Sequence, residues 1–394
     1  MTKIDDKAKW PKPFMLPFLI HKSLSYNSTS AATRLNALAF APNLPHFQAH
    51  PPMAPVQNAK VVFAEVPKDF PIPGQHIVYD DKDTVDLDSV PLDGGVLVKV
   101  LYLSVDPYLR GRMRPPNTES YLPPFDLGKP MNGFGVGVVV RSEAENIKAG
   151  NHVTAATFSF EQYTVLSVTD LTVLPEEQHI SWSQYLGAAG MPGLTAYTAW
   201  KEYAAASAGE TVFVSTGAGA VGSMVAQLAK MEGLKVIASA GSDEKVQFMR
   251  EIGVDVPFNY KTTNTREVLA KEGPIHIYWD NVGGETLDAA MEGAAKGARI
   301  IACGSISSYN TGPKPVYNTD LIFSKCLHLH GFLVGALADK YQQQFYAEVP
   351  ALVASGKVKL REQIVDGMDK LGELLVAVQK GINTGKAVIK VADE

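Results

Sequence analysis

The chain has 394 residues, of which 46% are apolar and 20% are charged. This balance predicts a folded globular protein of about two domains, and the net charge of −5 argues against a nucleic-acid partner. No apolar run approaches the roughly 20 residues of a membrane-spanning helix, so we expect no membrane partner. Two cysteines fit a reducing, cytoplasmic location without a disulfide framework.

Residues 1–58 differ from the rest of the chain. They combine an apolar stretch interrupted by prolines, a Ser/Thr/Asn-rich run at 23–33 and a proline-rich segment at 42–55. Prolines break any helix or strand period, which predicts a poorly ordered N-terminal extension. An organellar transit peptide is the alternative, because residues 11–63 contain no acid, although Asp5, Asp6 and the scarcity of arginine argue against it.

From residue 59 to about 185 the pattern is rich in β-strands. Short valine-rich segments, including 96–105, 135–141 and 162–166, alternate with Gly- and Pro-containing turns. This pattern predicts a barrel-like β domain. After about residue 345 a helix precedes a strand at 385–391, which we expect to return to this domain, so that it comprises residues 59–185 and 346–394.

Between residues 186 and 345, helical stretches alternate with apolar strands. The strands lie at 211–215, 235–239, 276–280 and 298–302. Continuously apolar strands separated by helices predict a parallel sheet that is covered on both faces. We therefore expect an α/β domain of the Rossmann type, with a doubly wound parallel sheet, in this region.

A glycine-rich turn follows the first of these strands. Gly217, Gly219 and Gly222 have the spacing G-x-G-x-x-G, and a helix follows them. In this strand–turn–helix context the motif indicates a dinucleotide site, because the glycines let the backbone approach a pyrophosphate and the helix N-terminus attracts its charge. We expect these glycines, with Ala220 and Val221, to hold the cofactor; glycines that only pack the helix on the sheet are the alternative.

The end of the next strand favours NADP(H) over NAD(H). An NAD site usually places an acid there to bind the ribose 2′-hydroxyl, but this strand ends without one and continues to Ser242. A 2′-phosphate needs hydroxyls and cations, for which Ser242, Lys245 and Tyr260 are the candidates. Asp243 or Glu244 could instead reach a ribose, Lys245 could be an exposed helix residue, and Tyr260 could be a surface tyrosine.

No metal site is expected. Cys303 and Cys326 are isolated in the sequence, and His328 and His330 alternate as on one face of a strand, whereas zinc ligands usually cluster. Hydride chemistry would then depend on an acid supplied by the protein or by water.

Several further segments, in order, carry a family resemblance. They are Leu103–Met113, Gly190–Tyr197, Ala240–Lys245, Phe258–Lys261, Asp280–Gly284, Cys303–Asn310 and Asn383–Lys386. From about residue 60 onward the chain resembles the medium-chain dehydrogenase/reductase superfamily, and within it the zinc-independent alkenal, leukotriene and prostaglandin reductases and the plant double-bond reductases. Asn132–Gly135 stands where zinc members carry Gly-His-Glu. Two departures are Thr216–Gly217, where Ala-Ala is frequent, and Pro192, where Thr is frequent.

The resemblance implies a Rossmann domain joined to a partly open, GroES-like β-barrel domain. It also implies NADPH-dependent reduction of the C=C bond of an α,β-unsaturated aldehyde or ketone, with hydride transferred to the β-carbon. Tyr309 would stabilise the enolate and relay a proton, or it could be a tyrosine that packs on the cofactor. Tyr121 resembles a substrate-side tyrosine of some members, or it could be a surface aromatic of a loop.

The same resemblance places other residues at the cofactor. Met191 and Thr195 would lie beside the nicotinamide, and Asn281, Cys303 and Asn383 would contact the cofactor; capping or packing roles are the alternatives. It also implies a homodimer formed through a sheet edge at residues 327–334. A quinone reductase and a non-catalytic NADPH-binding protein remain the alternative functions, because a fold alone does not settle function.

Overall fold

The computed structural model of the protein describes residues 54–175 and 180–394. Its strands are β1 (Val56–Gln57), β2 (Lys60–Phe63), β3 (Ile77–Asp80), β4 (Thr84–Val85), β5 (Val96–Ser104), β6 (Lys129–Pro130), β7 (Asn132–Ser142), β8 (His152–Ser159), β9 (Tyr163–Leu166), β10 (Leu171–Val173), β11 (Thr211–Val214), β12 (Lys235–Ala240), β13 (Val256–Asn259), β14 (Ile275–Asp280), β15 (Ala294–Ala302), β16 (His328–Gly331), β17 (Glu362–Asp366) and β18 (Lys386–Lys390). Its α-helices are α1 (Leu109–Arg112), α2 (Met191–Ala199), α3 (Ala220–Met231), α4 (Asp243–Glu251), α5 (Thr265–Glu272), α6 (Gly284–Gly293), α7 (Leu321–Ser324), α8 (Val334–Ala354) and α9 (Leu371–Gln379).

Six parallel strands form the sheet of the nucleotide-binding half. Their order is β13-β12-β11-β14-β15-β16, with every neighbouring pair parallel. Counted along the chain this is the order 3-2-1-4-5-6 of doubly wound dinucleotide-binding folds. All four residues of β11 are buried, as a strand covered on both faces requires. The fold class expected from the sequence is confirmed, and the strand order reverses between β11 and β14, where such folds form their ligand crevice.

The β-rich half contains a seven-stranded sheet and two smaller sheets. The large sheet runs β10-β8-β7-β5-β18-β17, and β9 also pairs with β5. Strand β18 lies antiparallel to β5 and parallel to β17, so the last strand of the chain completes a sheet that begins near residue 96. Lys386, the first residue of β18, forms a buried ion pair with Asp106, with 2.9 Å between Nζ and Oδ1. This pair connects β18 to the segment that follows β5.

The domain limits drawn from the sequence stay a proposal, and the packing favours two changes. Residue 346 falls inside α8, whose Phe345, Val349 and Val353 belong to the apolar core beneath the parallel sheet. We propose that the limit placed between residues 345 and 346 lies after Ala354 instead. Strand β1, which pairs with β4, falls within the segment assigned to the extension, while residues 1–53 of that segment lie outside the described residues.

Strand β16 forms one edge of the parallel sheet and pairs only with β15 among the described strands. Its His328 and His330 rings stack on each other with centroids 6.4 Å apart. The homodimer expected at residues 327–334 stays a prediction. Within residues 54–175 and 180–394, no helix combines the length and apolarity that crossing a membrane requires.

Candidate active site

The glycine turn leads from β11 into α3, and a side chain at Gly217 or Gly222 would overlap neighbouring atoms. A Cβ on Gly222 would lie 2.3 Å from the backbone oxygen of Thr216, and a Cβ on Gly217 would lie 2.6 Å from the Cβ of Ala238 on β12. Both glycines therefore let α3 pack closely against the sheet. Gly219 precedes α3 in an extended conformation, and a Cβ on it would lie 3.2 Å from the backbone oxygen of Thr216.

The N-terminus of α3 fits an anionic group. Gly219, Ala220 and Val221 are partly exposed, whereas the helix that follows them is almost entirely buried. The first N–H groups of a helix have no partner within it, and the helix dipole favours negative charge there. The turn thus offers backbone donors and an uncrowded approach, the arrangement that a dinucleotide pyrophosphate requires.

Thr216 has a backbone conformation that is rare for its residue type. Its φ is +52°, and a β-branched residue in the left-handed region is strained. Its carbonyl oxygen accepts the N–H of Gly219 at 2.9 Å, which closes the tight turn. The turn is therefore closed by a hydrogen bond of its own backbone, and the departure from the family pattern at Thr216 is accommodated at the cost of local strain.

Two lysines and a tyrosine surround the end of β12. A Cβ on Gly241 would lie 3.1 Å from the Tyr260 hydroxyl and 3.3 Å from Lys261 Cε. Lys245 is half-buried rather than exposed, and its Nζ donates to Gly381 O at 2.7 Å. Burial lowers the pKa of Lys245, and the charge of Lys261 lowers it further. Two neighbouring ammonium groups that repel each other form a pocket suited to a doubly charged anion.

The two acids that could have favoured NAD(H) bind other protein groups. Asp243 accepts a hydrogen bond from Asn259 Nδ2 at 2.9 Å, and Glu244 pairs with Arg361 at 3.0 Å. Ser242 caps α4, because its hydroxyl accepts the N–H of Lys245 at 3.4 Å. Both carboxylates are therefore bound by protein groups, while the charge of Glu244 still acts on Lys245 and partly offsets the fall in its pKa.

The carboxyl ends of β14 and β15 form the opposite wall of the crevice. Asn281 donates from Nδ2 to Ser215 O at 2.7 Å and accepts from Trp279 Nε1 at 3.2 Å, so its amide ties β14 to the strand before the glycine turn. Cys303 donates its backbone N–H to Asp280 O at 2.9 Å. Burial raises the pKa of the Cys303 thiol to about 12, and Asp280 adds to the rise, so this thiol stays protonated at neutral pH.

Tyr309 lies close enough to Tyr121 to influence the pKa of that tyrosine. Burial raises the pKa of Tyr121 to about 12, and Tyr309 is the second cause. Tyr121 nevertheless exposes 57% of its surface. A place for Tyr121 at the substrate stays a prediction. The Tyr309 hydroxyl accepts the N–H of Ser305 at 3.3 Å, while burial raises its pKa.

The remaining predicted residues lie on two other segments. Met191 opens α2, and the hydroxyl of the buried Thr195 donates to Met191 O at 2.8 Å, which matches the packing alternative for Thr195. Asn383 Nδ2 donates to Gly385 O at 2.8 Å, in the turn before β18. The direct contacts of Met191, Thr195, Asn281, Cys303 and Asn383 with a cofactor stay predictions.

Sequence reasoning missed two residues. Lys261 belongs to the segment Phe258–Lys261, from which only Tyr260 was expected to join Ser242 and Lys245 at the 2′-phosphate. Asn310, directly after Tyr309, is 5% exposed and bonds to Arg110 and Gln379. The sequence signal for Lys261 was its place beside Tyr260 in a segment that carries the family resemblance. No local pattern identifies Asn310. In the part of the chain that the structure describes, no three His, Cys, Asp or Glu side chains group as metal ligands would.

Two family profiles match the chain. One, described as the N-terminal domain of oxidoreductase, covers residues 84–174, and the other, described as zinc-binding dehydrogenase, covers residues 220–354. The first falls on the β-rich half, and the second begins at the first residue of α3 and covers β12 to β16 of the parallel sheet.

Relatives and solved structures extend the likeness over most of the chain. A zinc-type alcohol dehydrogenase-like protein of Schizosaccharomyces pombe is 39% identical over 82% of this chain and 95% of its own length. The NADP-dependent 2-alkenal reductase of Nicotiana tabacum is 38% identical over 76% of this chain and 88% of its own length. The structure of CurA from Vibrio vulnificus, solved with NADPH, is 31% identical with a TM-score of 0.77, over 85% of this chain and all of that one. The chain therefore belongs to the zinc-independent medium-chain dehydrogenase/reductase family of NADP(H)-dependent oxidoreductases.

Proposed function

We propose that the protein reduces the C=C bond of α,β-unsaturated aldehydes or ketones with NADPH, and that Tyr309 stabilises and protonates the enolate, directly or through water. The observation that carries the proposal is the Tyr309 hydroxyl, which accepts the Ser305 N–H and lies near enough to the predicted substrate-side tyrosine, Tyr121, to raise its pKa. A hydroxyl that accepts from the backbone keeps its own proton free to donate. That is the group an enolate oxygen requires.

The residues of this chain fit two anionic groups of the cofactor, its pyrophosphate and its adenosine 2′-phosphate. The amides at the start of α3 would hold the pyrophosphate, and Lys245, Lys261 and Tyr260 would hold the 2′-phosphate. NADPH, when bound, supplies the hydride that reaches the substrate β-carbon. The proton is the part of the reaction that the protein controls.

Tyr309 suits the role of hydrogen-bond donor to the enolate oxygen because its surroundings keep the phenol protonated. The proton that the α-carbon takes up, from Tyr309 or through water, is replaced from the solvent. Burial raises the pKa of Tyr309, with Cys303 and Asp280 adding to the rise, and the hydrogen bond from Ser305 only partly offsets this. The phenol is therefore protonated at neutral pH. Its donated hydrogen bond gains strength as negative charge develops on the carbonyl oxygen, which is the differential stabilisation that catalysis needs.

The experiment follows loss of NADPH absorbance with a panel of enals, enones and quinones, for the wild-type protein and for Tyr309→Phe. Removing one such hydroxyl is expected to lower kcat on enones about 10²- to 10³-fold, with NADPH affinity unchanged. Tyr121→Phe tests the second tyrosine in the same way. Turnover of quinones but not of enones would favour the quinone reductase, and NADPH binding without any turnover would favour a non-catalytic protein.

A further inference from the structure

A buried chain of hydrogen bonds connects the two halves of the molecule beside Tyr309. Arg110 Nε donates to Asn310 Oδ1, Asn310 Nδ2 donates to Gln379 Oε1, and Gln379 Nε2 donates to Pro107 O, each at 2.9 Å. Arg110, Asn310 and Gln379 expose 7%, 5% and 6% of their surfaces. Buried amides of this kind are costly to leave unpaired, so the chain is a strong structural constraint.

The direction of this chain is fixed at both ends. Arginine only donates and a carbonyl oxygen only accepts. Both amides between them must therefore present their oxygen towards Arg110 and their nitrogen towards Pro107. One orientation of each side chain satisfies every group, and a rotated amide would place two donors or two acceptors face to face.

The three segments that meet here come from distant parts of the sequence. Arg110 belongs to α1 of the β-rich half, Gln379 ends α9, and Asn310 directly follows Tyr309 in the loop after β15. The guanidinium of Arg110 also donates to the backbone oxygen of Asp69 at 2.8 Å. The Asn310 side chain of the nucleotide-binding half therefore lies among polar groups of the β-rich half.

The hydrogen bonds of Tyr309 itself are local. Its hydroxyl accepts from Ser305 at 3.3 Å and its N–H donates to Ile306 O at 3.4 Å, both within its own turn. These contacts hold the ring within the turn, but neither of them reaches the β-rich half. The side chain of the next residue, Asn310, does reach it.

We propose that Asn310 is a positioning residue that fixes the place of the Tyr309 hydroxyl by anchoring its turn to Arg110 and Gln379. This inference rests on the function proposed for Tyr309. Because a misplacement of about 1 Å can cost roughly 10²-fold in rate, breaking the anchor lowers kcat. The NADPH dissociation constant depends on the glycine turn and the lysine pocket, and it stays within about threefold of the wild-type value.

The test compares Asn310→Ala with Gln379→Leu, which breaks the same chain from its far end. Asn58→Ala is the matched control, because its amide also bridges distant segments, through Tyr163 O at 3.2 Å, but within the β-rich half. We expect both anchor variants to lose at least about tenfold in kcat on an enone, and the control to lose none. Combining Asn310→Ala with Tyr309→Phe should cost little beyond Tyr309→Phe alone, because the anchor acts through the tyrosine.

Hydrogen–deuterium exchange of the cofactor-free protein gives a readout without catalysis. Asn310→Ala should speed exchange at residues 304–312, and Asn58→Ala should not. Unchanged exchange there, or losses in kcat that multiply in the double variant, would overturn the inference while leaving the role of Tyr309 intact. A wild-type protein that reduces no enone would instead overturn the proposed function, and the exchange data would still decide whether Asn310 anchors the turn.

Discussion

Lys261 offers a direct test of how the protein selects its cofactor. Its exposed ammonium lies at the end of β12 with the Tyr260 hydroxyl, and none of the ion pairs among the described residues includes it. Lys261→Ala therefore removes a charge without leaving a carboxylate unpaired. A phosphate monoester carries a charge of about −1.5 to −2 at neutral pH, which this ammonium would face.

The size of the effect follows from that exposure. A hydrogen bond to a charged group contributes about 1.5–3 kcal/mol, and solvent screening at an exposed lysine reduces this to about 1–2 kcal/mol. The NADPH dissociation constant should then rise about 5- to 30-fold. NADH lacks the 2′-phosphate, so its dissociation constant should not change.

Fluorescence titration of both nucleotides in the absence of substrate measures the two dissociation constants. In the ratio of the NADPH constant to the NADH constant, changes of general stability cancel. Lys271→Ala is the control, because that lysine is also exposed and lies on α5, away from the pocket. The difference between wild type and variant should shrink as salt is added, since screening weakens exposed charges. Equal losses for NADPH and NADH, or no loss for NADPH, would refute a 2′-phosphate pocket at Lys261.

Two further predictions concern the crevice. Gly222→Ala places a methyl group 2.3 Å from Thr216 O, so α3 must move away; we expect about 1–3 kcal/mol of lost stability in urea unfolding and weakened NADPH binding, and binding equal to wild type would contradict this account of the turn. With its pKa near 12, the Cys303 thiol has only about 10⁻⁵ of its population as thiolate at pH 7, so iodoacetamide should modify the exposed Cys326 first and reach Cys303 faster only as the pH rises. Rapid modification of a Cys326→Ser variant at pH 7 would contradict a shielded, protonated Cys303 thiol.

Local patterns predicted the nucleotide-binding half well. The spacing of Gly217, Gly219 and Gly222 between an apolar strand and a helix is a short-range signal, because the motif and its context are continuous in sequence. The parallel sheet followed from the alternation of strands and helices. The absence of an acid in β12 was equally local, and the structure adds that Asp243 and Glu244 are bound by Asn259 and Arg361.

The parts that sequence could not supply depend on long-range contacts. Arg110 and Asn310 are 200 positions apart and Gln379 and Pro107 are 272 apart, and no periodicity links residues at such distances. The strain at Thr216 was also out of reach, since only its φ of +52° shows it. Tyr121 could not be placed because its loop has no regular pattern, and its position near Tyr309 emerged only from the folded chain.

The insertion of β18 between β5 and β17 governs the order in which the molecule can mature. All six strands of the parallel sheet precede residue 332. In the β-rich sheet, β5 pairs with β7 and β9, but its last residues, 102–104, acquire their partner on the other side only when residues 386–390 are present. During synthesis the middle of the chain can therefore close its sheet first, while the earlier strands wait with an open edge. An open edge invites pairing with other chains, so the end of β5 stays open to such pairing until β18 has been made.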